Sequence, residues 1–167
     1  MHAQCLDKIP AVHKIISRSD RVHVKTVVCD KGLKEFVAAM LSYMPAWMRF
    51  LYWVRGYFVI LLGNSQDSIP QKEELRPEDV GFNPGDPASF FTVIAARDKA
   101  YWIAGARDKM IAGYLGVIVE PMDNGEKRFH VLTTAEYLHW TAQIYFNVIS
   151  VFHLIVVGCM VREAAKT

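Results

Sequence analysis

The sequence predicts an α+β helix-grip fold, in which a strongly curved antiparallel sheet wraps around a long C-terminal helix. Two observations lead to this prediction. From Trp140 to Val161 the chain has no Asp, Glu, Lys or Arg, and this uncharged run follows four strand-like segments. The chain has 167 residues, of which 52% are hydrophobic, so we expect one domain over 1–167 with a sizeable core.

The first third of the chain predicts one strand and a bent pair of helices. Residues 1–19 show no clean period and are left without an assigned element. Alternating apolar side chains over 22–28 then predict a strand. Apolar residues recur at helical spacing over 33–44, and Pro45 ends that helix because it suits the first turn of a second helix over 46–62.

A polar segment and a series of strands follow. Residues 64–87 are rich in Pro, Gly and charged side chains and predict a long surface connection. Strands are then predicted at 89–96, 100–106, 111–120 and 127–137. The links are short, and Asp123-Asn124-Gly125 is a hairpin signal, so these strands should form an antiparallel meander.

Glycines within the predicted strands point to a curved sheet. Gly105, Gly113 and Gly116 suggest bulges or bends, which a sheet needs if it is to curl around a helix. The C-terminal helix should begin near His139 and cross that sheet. Thr133 and Glu136 have capping-box spacing, which would start the helix earlier.

Charge and motifs exclude several classes of function. The net charge is +2 and the basic residues are spread along the chain, so no nucleic-acid partner is expected. Phosphate-binding, dinucleotide-binding and zincin motifs are absent, and no two of the six histidines have i,i+4 spacing, so neither a cofactor nor a metal is predicted. The sequence lacks a signal-peptide pattern, and three widely spaced cysteines suit a reduced, cytoplasmic compartment.

Three segments carry a resemblance to a known family. They are Pro45-Ala46-Trp47, the run RFLYWVRGYFVILLG over 49–63 and the run YFNVISVFHLI over 145–155. Over roughly 20–164 the chain resembles family 2867 of the domains of unknown function. The resemblance implies a START-like, birch-pollen-allergen-like domain and carries over no activity or catalytic residue.

The preferred functional hypothesis is a non-enzymatic binder of a small apolar, lipid-like molecule held between the sheet and the C-terminal helix. Gln143, Asn147 and Ser150 fall on one face of that helix, which faces either solvent or the cavity. Large aromatic side chains and polar groups near the cavity would contact and orient the molecule. The candidate ligand-binding residues are Trp102, Tyr114, His139, Gln143, Asn147 and His153.

Other functions stay open at this stage. The same cavity could serve a cyclase or lyase in which His153 or His139 acts as general acid or base. The uncharged run also meets the length criterion of a membrane anchor. The helix predicted over 46–62 is apolar nearly all round, so we expect it to pack on the sheet and the first helix, with homodimer formation or peripheral membrane contact as alternatives.

Overall fold

The structure is a computed structural model, and it describes residues 9–61, 75–123 and 125–166. Four α-helices lie in these ranges: α1 (Pro10–Ile16), α2 (Leu33–Ser42), α3 (Ala46–Leu61) and α4 (Trp140–Ala165). The strands are β1 (Arg21–Cys29), β2 (Pro87–Ala88), β3 (Phe91–Arg97), β4 (Tyr101–Arg107), β5 (Ile111–Pro121) and β6 (Lys127–Tyr137). A 3₁₀ helix spans Pro77–Asp79.

All strands belong to one antiparallel sheet in the order β1-β6-β5-β4-β3-β2. The sheet is curved and the C-terminal helix is long, so the predicted α+β class with a helix-grip-like arrangement is confirmed. The pairing of β5 with β4 and β6 runs without a register shift through Gly113 and Gly116. The irregularity lies instead in β3, between Val93 and Ala95, where a bulge lets the strand bend.

The main core lies on one face of the sheet, here called the front face. Val117, Phe129 and Val131 point to this face and pack against α2 and the end of α4. The rings of Phe36 in α2 and Phe129 in β6 stack with centroids 4.3 Å apart. Because α2 brings a nearly unbroken apolar face to the sheet, burial of this face is the main force that attaches the helix.

The opposite, back face of the sheet carries α1, which the sequence did not predict. Val12 and Ile15 of this helix pack on Ile103, Ile118 and Leu132. Residues 1–19 showed no clean period because α1 has only 7 residues and buries only these two side chains. Pro10 at the first helical position is the local signal for its start.

The long helix α4 is docked on the domain near both of its ends. Ala142, Tyr145 and Phe146 pack on Met110 and Ala135. Further along, Val157, Val161 and Ala164 are buried in the front core. The helix begins at Trp140 with His139 as its N-cap, as predicted, and β6 continues through Thr133 and Glu136 to Tyr137.

Much of the outward side of α4 is nonetheless apolar and exposed. By length and composition α4 could cross a membrane, and only 28% of its most apolar 18-residue window is buried. The exposed fractions of its outward apolar side chains lie between 46% and 71%. These side chains are Trp140, Ile144, Val148, Val151, Phe152 and Ile155.

Helix α3 also leaves aromatic side chains exposed. The helix contacts α4, and Met48 is fully buried, so its inner side packs mainly on the C-terminal helix and not, as predicted, on the sheet and the first helix. The outward row consists of Trp47, Phe50, Trp53, Val54, Tyr57 and Ile60. We call this row and the outward row of α4 together the outer apolar surface.

The connection before the sheet is described only from Leu75 onward, so residues 64–74 of the predicted segment lie outside the described part. Ser42 at the end of α2 accepts a hydrogen bond from the Leu75 N–H at 2.9 Å. Val80 is buried in the front core, and Gly81 O accepts a hydrogen bond from the Trp102 indole at 3.0 Å. These contacts fix 75–82 on the domain, and the segment then enters β2 at Pro87.

Candidate functional site

Three small residues lie together on the front face beneath the first half of α4. Ala106, Gly113 and Ala135 are register partners across β4, β5 and β6, so three small residues form one row across the sheet. A Cβ built on Gly113 would meet only one described heavy atom within 4 Å, the Thr134 carbonyl oxygen at 3.9 Å. We call the space above this row the recess.

Apolar and aromatic side chains border the recess on one side. Tyr145 and Phe146 of α4 lie on one side with Met110, and the rings of Tyr137 and Phe146 are 5.9 Å apart. Ala106 and Gly113 are half-buried, although they lie on the inner strands of the sheet, so solvent reaches the bottom of the recess. A concave, mostly apolar site with few polar groups is typical of sites for small apolar molecules.

The aromatic side chains predicted to bind a ligand lie on opposite faces of the sheet. Trp102 is fully buried in the front core, beneath α2. Tyr114 points to the back face, where it packs against the α1 cluster. Side chains of successive residues along a strand point to opposite faces of the sheet. The register of β4 and β5 puts Trp102 and Tyr114 on opposite faces, so the sheet separates their rings.

The four predicted site residues near or on α4 are spread along the helix. His139 serves as N-cap, with its Nδ1 2.8 Å from Thr141 Oγ1. Gln143 and Asn147 are exposed, so this side of the helix faces solvent. His153 is half-buried beside the ring of Phe146, with centroids 6.0 Å apart. The structure therefore does not bring the six predicted residues to one place.

The two histidines proposed as acid or base cannot act on one group together. Fourteen positions separate His139 and His153, which is roughly 20 Å along a helix axis. His139 is also engaged by the cap it forms with Thr141, which fixes one of its ring nitrogens. The cyclase or lyase alternative stays a prediction.

Comparison with known protein families identifies the chain. A family model described as protein of unknown function (DUF2867) matches residues 15–160, which is most of the sequence. The chain belongs to the DUF2867 family. A search of the curated proteins finds no match for it.

A second concavity in this DUF2867 chain lies away from the sheet. An open groove of about 540 Å³ runs between α2 and the segment Leu75–Pro77. Its lining residues are Lys31, Glu35, Ala38, Ala39, Ser42, Leu75 and Pro77. None of these belongs to a strand or to α4, so the groove is separate from the recess.

A polar cluster on the back face was not predicted from the sequence. His130 is almost fully buried, with its Nε2 3.0 Å from Glu120 Oε2 and its Nδ1 3.2 Å from Thr26 Oγ1. Arg128 Nη1 donates to the same Glu120 oxygen at 2.9 Å. An ionised carboxylate can only accept hydrogen bonds, so His130 Nε2–H is the donor to Glu120. The predicted hairpin at 123–125 is the sequence signal that could have revealed this cluster. The strand register that follows from it places Glu120 and His130 diagonally opposite each other on one face of the sheet.

The cluster holds the back face together rather than forming an open site. The hydrogen bond from His130 and then that from Arg128 lower the pKa of the Glu120 carboxyl below its usual value. The His130 side chain is only 1% exposed, so a substrate has no access to its ring. Glu120 thus holds two partners at the end of its strand while its side chain stays 36% exposed.

The pH dependence of stability should reveal this cluster. Because the folded pKa of Glu120 is lowered, its stabilising contribution is complete above the ordinary glutamate pKa of about 4.3 and is lost as the pH falls through the folded value. Glu120→Gln should therefore show a smaller acid-induced loss of unfolding free energy than the unchanged protein. Urea denaturation at a series of pH values measures this loss for both proteins.

The matched control for that measurement is Glu78→Gln, at an exposed carboxylate on the 3₁₀ helix. This variant should keep the acid-induced loss of the unchanged protein. Identical pH profiles for Glu120→Gln and the unchanged protein would contradict the assigned hydrogen bonds.

The described part of this DUF2867 chain contains two cysteines, and neither forms a disulfide. Cys29 and Cys159 are free, and Cys29 is buried. Burial raises the pKa of the Cys29 thiol, which keeps it protonated and unreactive. Cys5 lies outside the described residues. Within residues 9–61, 75–123 and 125–166 no three His, Cys, Asp or Glu side chains come together as metal ligands.

Proposed function

We propose that this protein binds a lipid-like apolar molecule in the recess between the sheet and α4. The observation that carries the proposal is the row of small residues Ala106, Gly113 and Ala135, with open space above Gly113. A core-facing position on an inner strand normally carries a larger side chain, because burial of apolar area stabilises the core. Space left open there is available to a guest molecule.

The residues that line the recess indicate which kind of molecule would bind there. Its lining is apolar and aromatic, with Met110, Tyr145 and Phe146 on one side. At its rim, Tyr137 Oη accepts a hydrogen bond from Arg21 Nε at 3.2 Å, so one polar and cationic group borders an otherwise apolar space. Such a site favours a molecule with an apolar body and a polar end.

The same proposal includes kinship with START-like domains. A curved antiparallel sheet with a long C-terminal helix supports it. Fold likeness alone does not define a ligand, so the argument for binding depends on the recess residues.

Filling the recess tests the proposal. Gly113→Val should abolish binding of cis-parinaric acid, a fluorescent long-chain fatty acid, because the valine side chain projects into the recess. The variant should fold, since Gly113 has an ordinary strand backbone and the nearest described atom would lie 3.9 Å from the new Cβ. Replacing a strand glycine should also raise the unfolding free energy by roughly 0.5–1 kcal/mol.

Gly116→Ala is the matched control, because it adds a methyl group to the same strand on the back face. A Cβ there meets Leu132 Cβ at 3.5 Å and Ile118 Cδ1 at 3.6 Å, which are ordinary contacts. This variant should bind cis-parinaric acid as the unchanged protein does. Unchanged binding by Gly113→Val, or no binding by the unchanged protein, would show that the recess holds no such ligand.

A further inference from the structure

The outer apolar surface exposes large side chains that the folded domain does not use. Along α4 the row Trp140, Ile144, Val148, Val151 and Ile155 repeats every three or four residues, so it forms one continuous side of the helix. In α3 the rings of Trp53 and Tyr57 are 4.8 Å apart and both residues are more than half exposed. An apolar surface of this extent marks a binding face.

Within α3 and the uncharged run of α4, the charged residues are arginines only. From Trp140 to Val161 there is no charged residue, and α3 contains Arg49 and Arg55 without any Asp or Glu. At the border of the α4 row, Arg21 Nη2 donates to Asn147 Oδ1 at 3.3 Å, which holds a guanidinium beside the helix. Cations beside an apolar surface that carries no carboxylate complement an anionic partner.

We propose that the outer apolar surface docks on the surface of an anionic lipid bilayer. Helix α4 would lie in the plane of the interface, with Ile144, Val148 and Val151 at the boundary of the acyl chains. Trp and Tyr side chains are enriched at this depth, and the exposed Trp53 and Trp140 fit there. Arg21 would then meet the anionic headgroups.

The packing of α4 argues against a membrane-spanning arrangement. Tyr145 near its beginning and Val161 near its end are both buried against the domain. If α4 crossed a bilayer, these contacts would be lost. Docking parallel to the membrane keeps every contact that the fold makes.

The charge pattern also argues against a second copy of the chain as the partner. A symmetric dimer would use the same surface on both copies, so it would bring two sets of the same cations together. Neither α3 nor the uncharged run of α4 supplies a carboxylate to pair with them. Anionic headgroups supply that charge, and a second copy does not.

Vesicle flotation tests the proposal. The full chain is mixed with vesicles of phosphatidylcholine alone or with about one third phosphatidylserine. We expect flotation with the anionic vesicles, and a loss of at least about tenfold in partitioning for the double variant Ile144→Ser, Val151→Ser. Arg21→Gln should weaken partitioning about fivefold on the anionic vesicles only.

The matched control is Val22→Ser, Val24→Ser, which removes two exposed valines, 38% and 39% accessible, on the back face of β1. This control should float as the unchanged protein does. Gly113→Val should also float, because the outer apolar surface and the recess are separate features. Thus failure of ligand binding and failure of membrane docking give different patterns among the variants.

Four outcomes would overturn the proposal. They are no flotation with either kind of vesicle, equal flotation of the Ile144→Ser, Val151→Ser variant, resistance of the bound protein to alkaline extraction, and a concentration-dependent dimer that the double variant abolishes. The third would show that α4 spans the membrane, and the fourth that a second copy covers the surface.

Discussion

Replacement of Trp102 with alanine is expected to lower the free energy of unfolding by about 3–5 kcal/mol. Trp102 is fully buried in the front core, so the change leaves a cavity that Val93 and Val117 around it cannot fill. The Gly81 carbonyl also loses the indole donor at 3.0 Å, which fixes the connecting segment on the sheet. Urea denaturation followed by circular dichroism measures the loss.

Two further variants separate the effects of lost volume, lost hydrogen bond and burial. Trp102→Phe keeps most of the volume but removes the donor, so it should cost only about 1–3 kcal/mol. Trp140→Ala removes the same side chain at a position that is 71% exposed, and should change stability by less than about 0.5 kcal/mol while weakening bilayer binding. A stability loss for Trp140→Ala as large as that for Trp102→Ala would contradict the burial described for the two sites.

Gly81→Ala is expected to cost about 2–3 kcal/mol, although it adds a single methyl group. The new Cβ would lie 2.4 Å from Asp86 Cβ and 2.5 Å from its Oδ2, so the backbone has to move. Asp86 cannot move freely, because its Oδ2 accepts a hydrogen bond from the Asn83 N–H at 2.9 Å and its carbonyl accepts one from Val93. Chemical denaturation again gives the measurement.

The control is the same substitution where space exists. Gly116→Ala meets only ordinary contacts of 3.5 Å or more, and should leave the unfolding free energy within about 0.5 kcal/mol or raise it slightly. Equal stability of Gly81→Ala and Gly116→Ala would show that the turn from Gly81 to Asp86 is looser than described.

The sheet could be predicted from sequence because its signals are local. The hairpin at 123–125 and the short charged links set each strand of the meander beside the next, and β6 was predicted with its observed bounds Lys127–Tyr137. The pairing of β1 with β6 has no local signal, since the two strands are distant in the chain. Likewise α1 contributes only Val12 and Ile15 to the core and leaves no clear period.

The candidate site was harder to predict for a physical reason. Gly113 was interpreted as a bend, but a glycine in sequence does not tell whether it allows a turn, a close contact or open space. Gly81, which lies against Asp86, and Gly113, which has open space, differ only through their tertiary neighbours. Aromatic residues such as Trp102 and Tyr114 were grouped by type, whereas the face of the sheet on which each one lies decides its role.

The position of β1 at the sheet edge has a consequence for folding. Its one sheet partner is β6, and roughly a hundred residues separate the paired positions, so this contact closes a very long loop. On the ribosome the strand is made early and waits until the last hairpin emerges, with Val22, Val24 and Val28 still without their neighbours. We therefore expect refolding to be slow, because this pairing has to close the long loop.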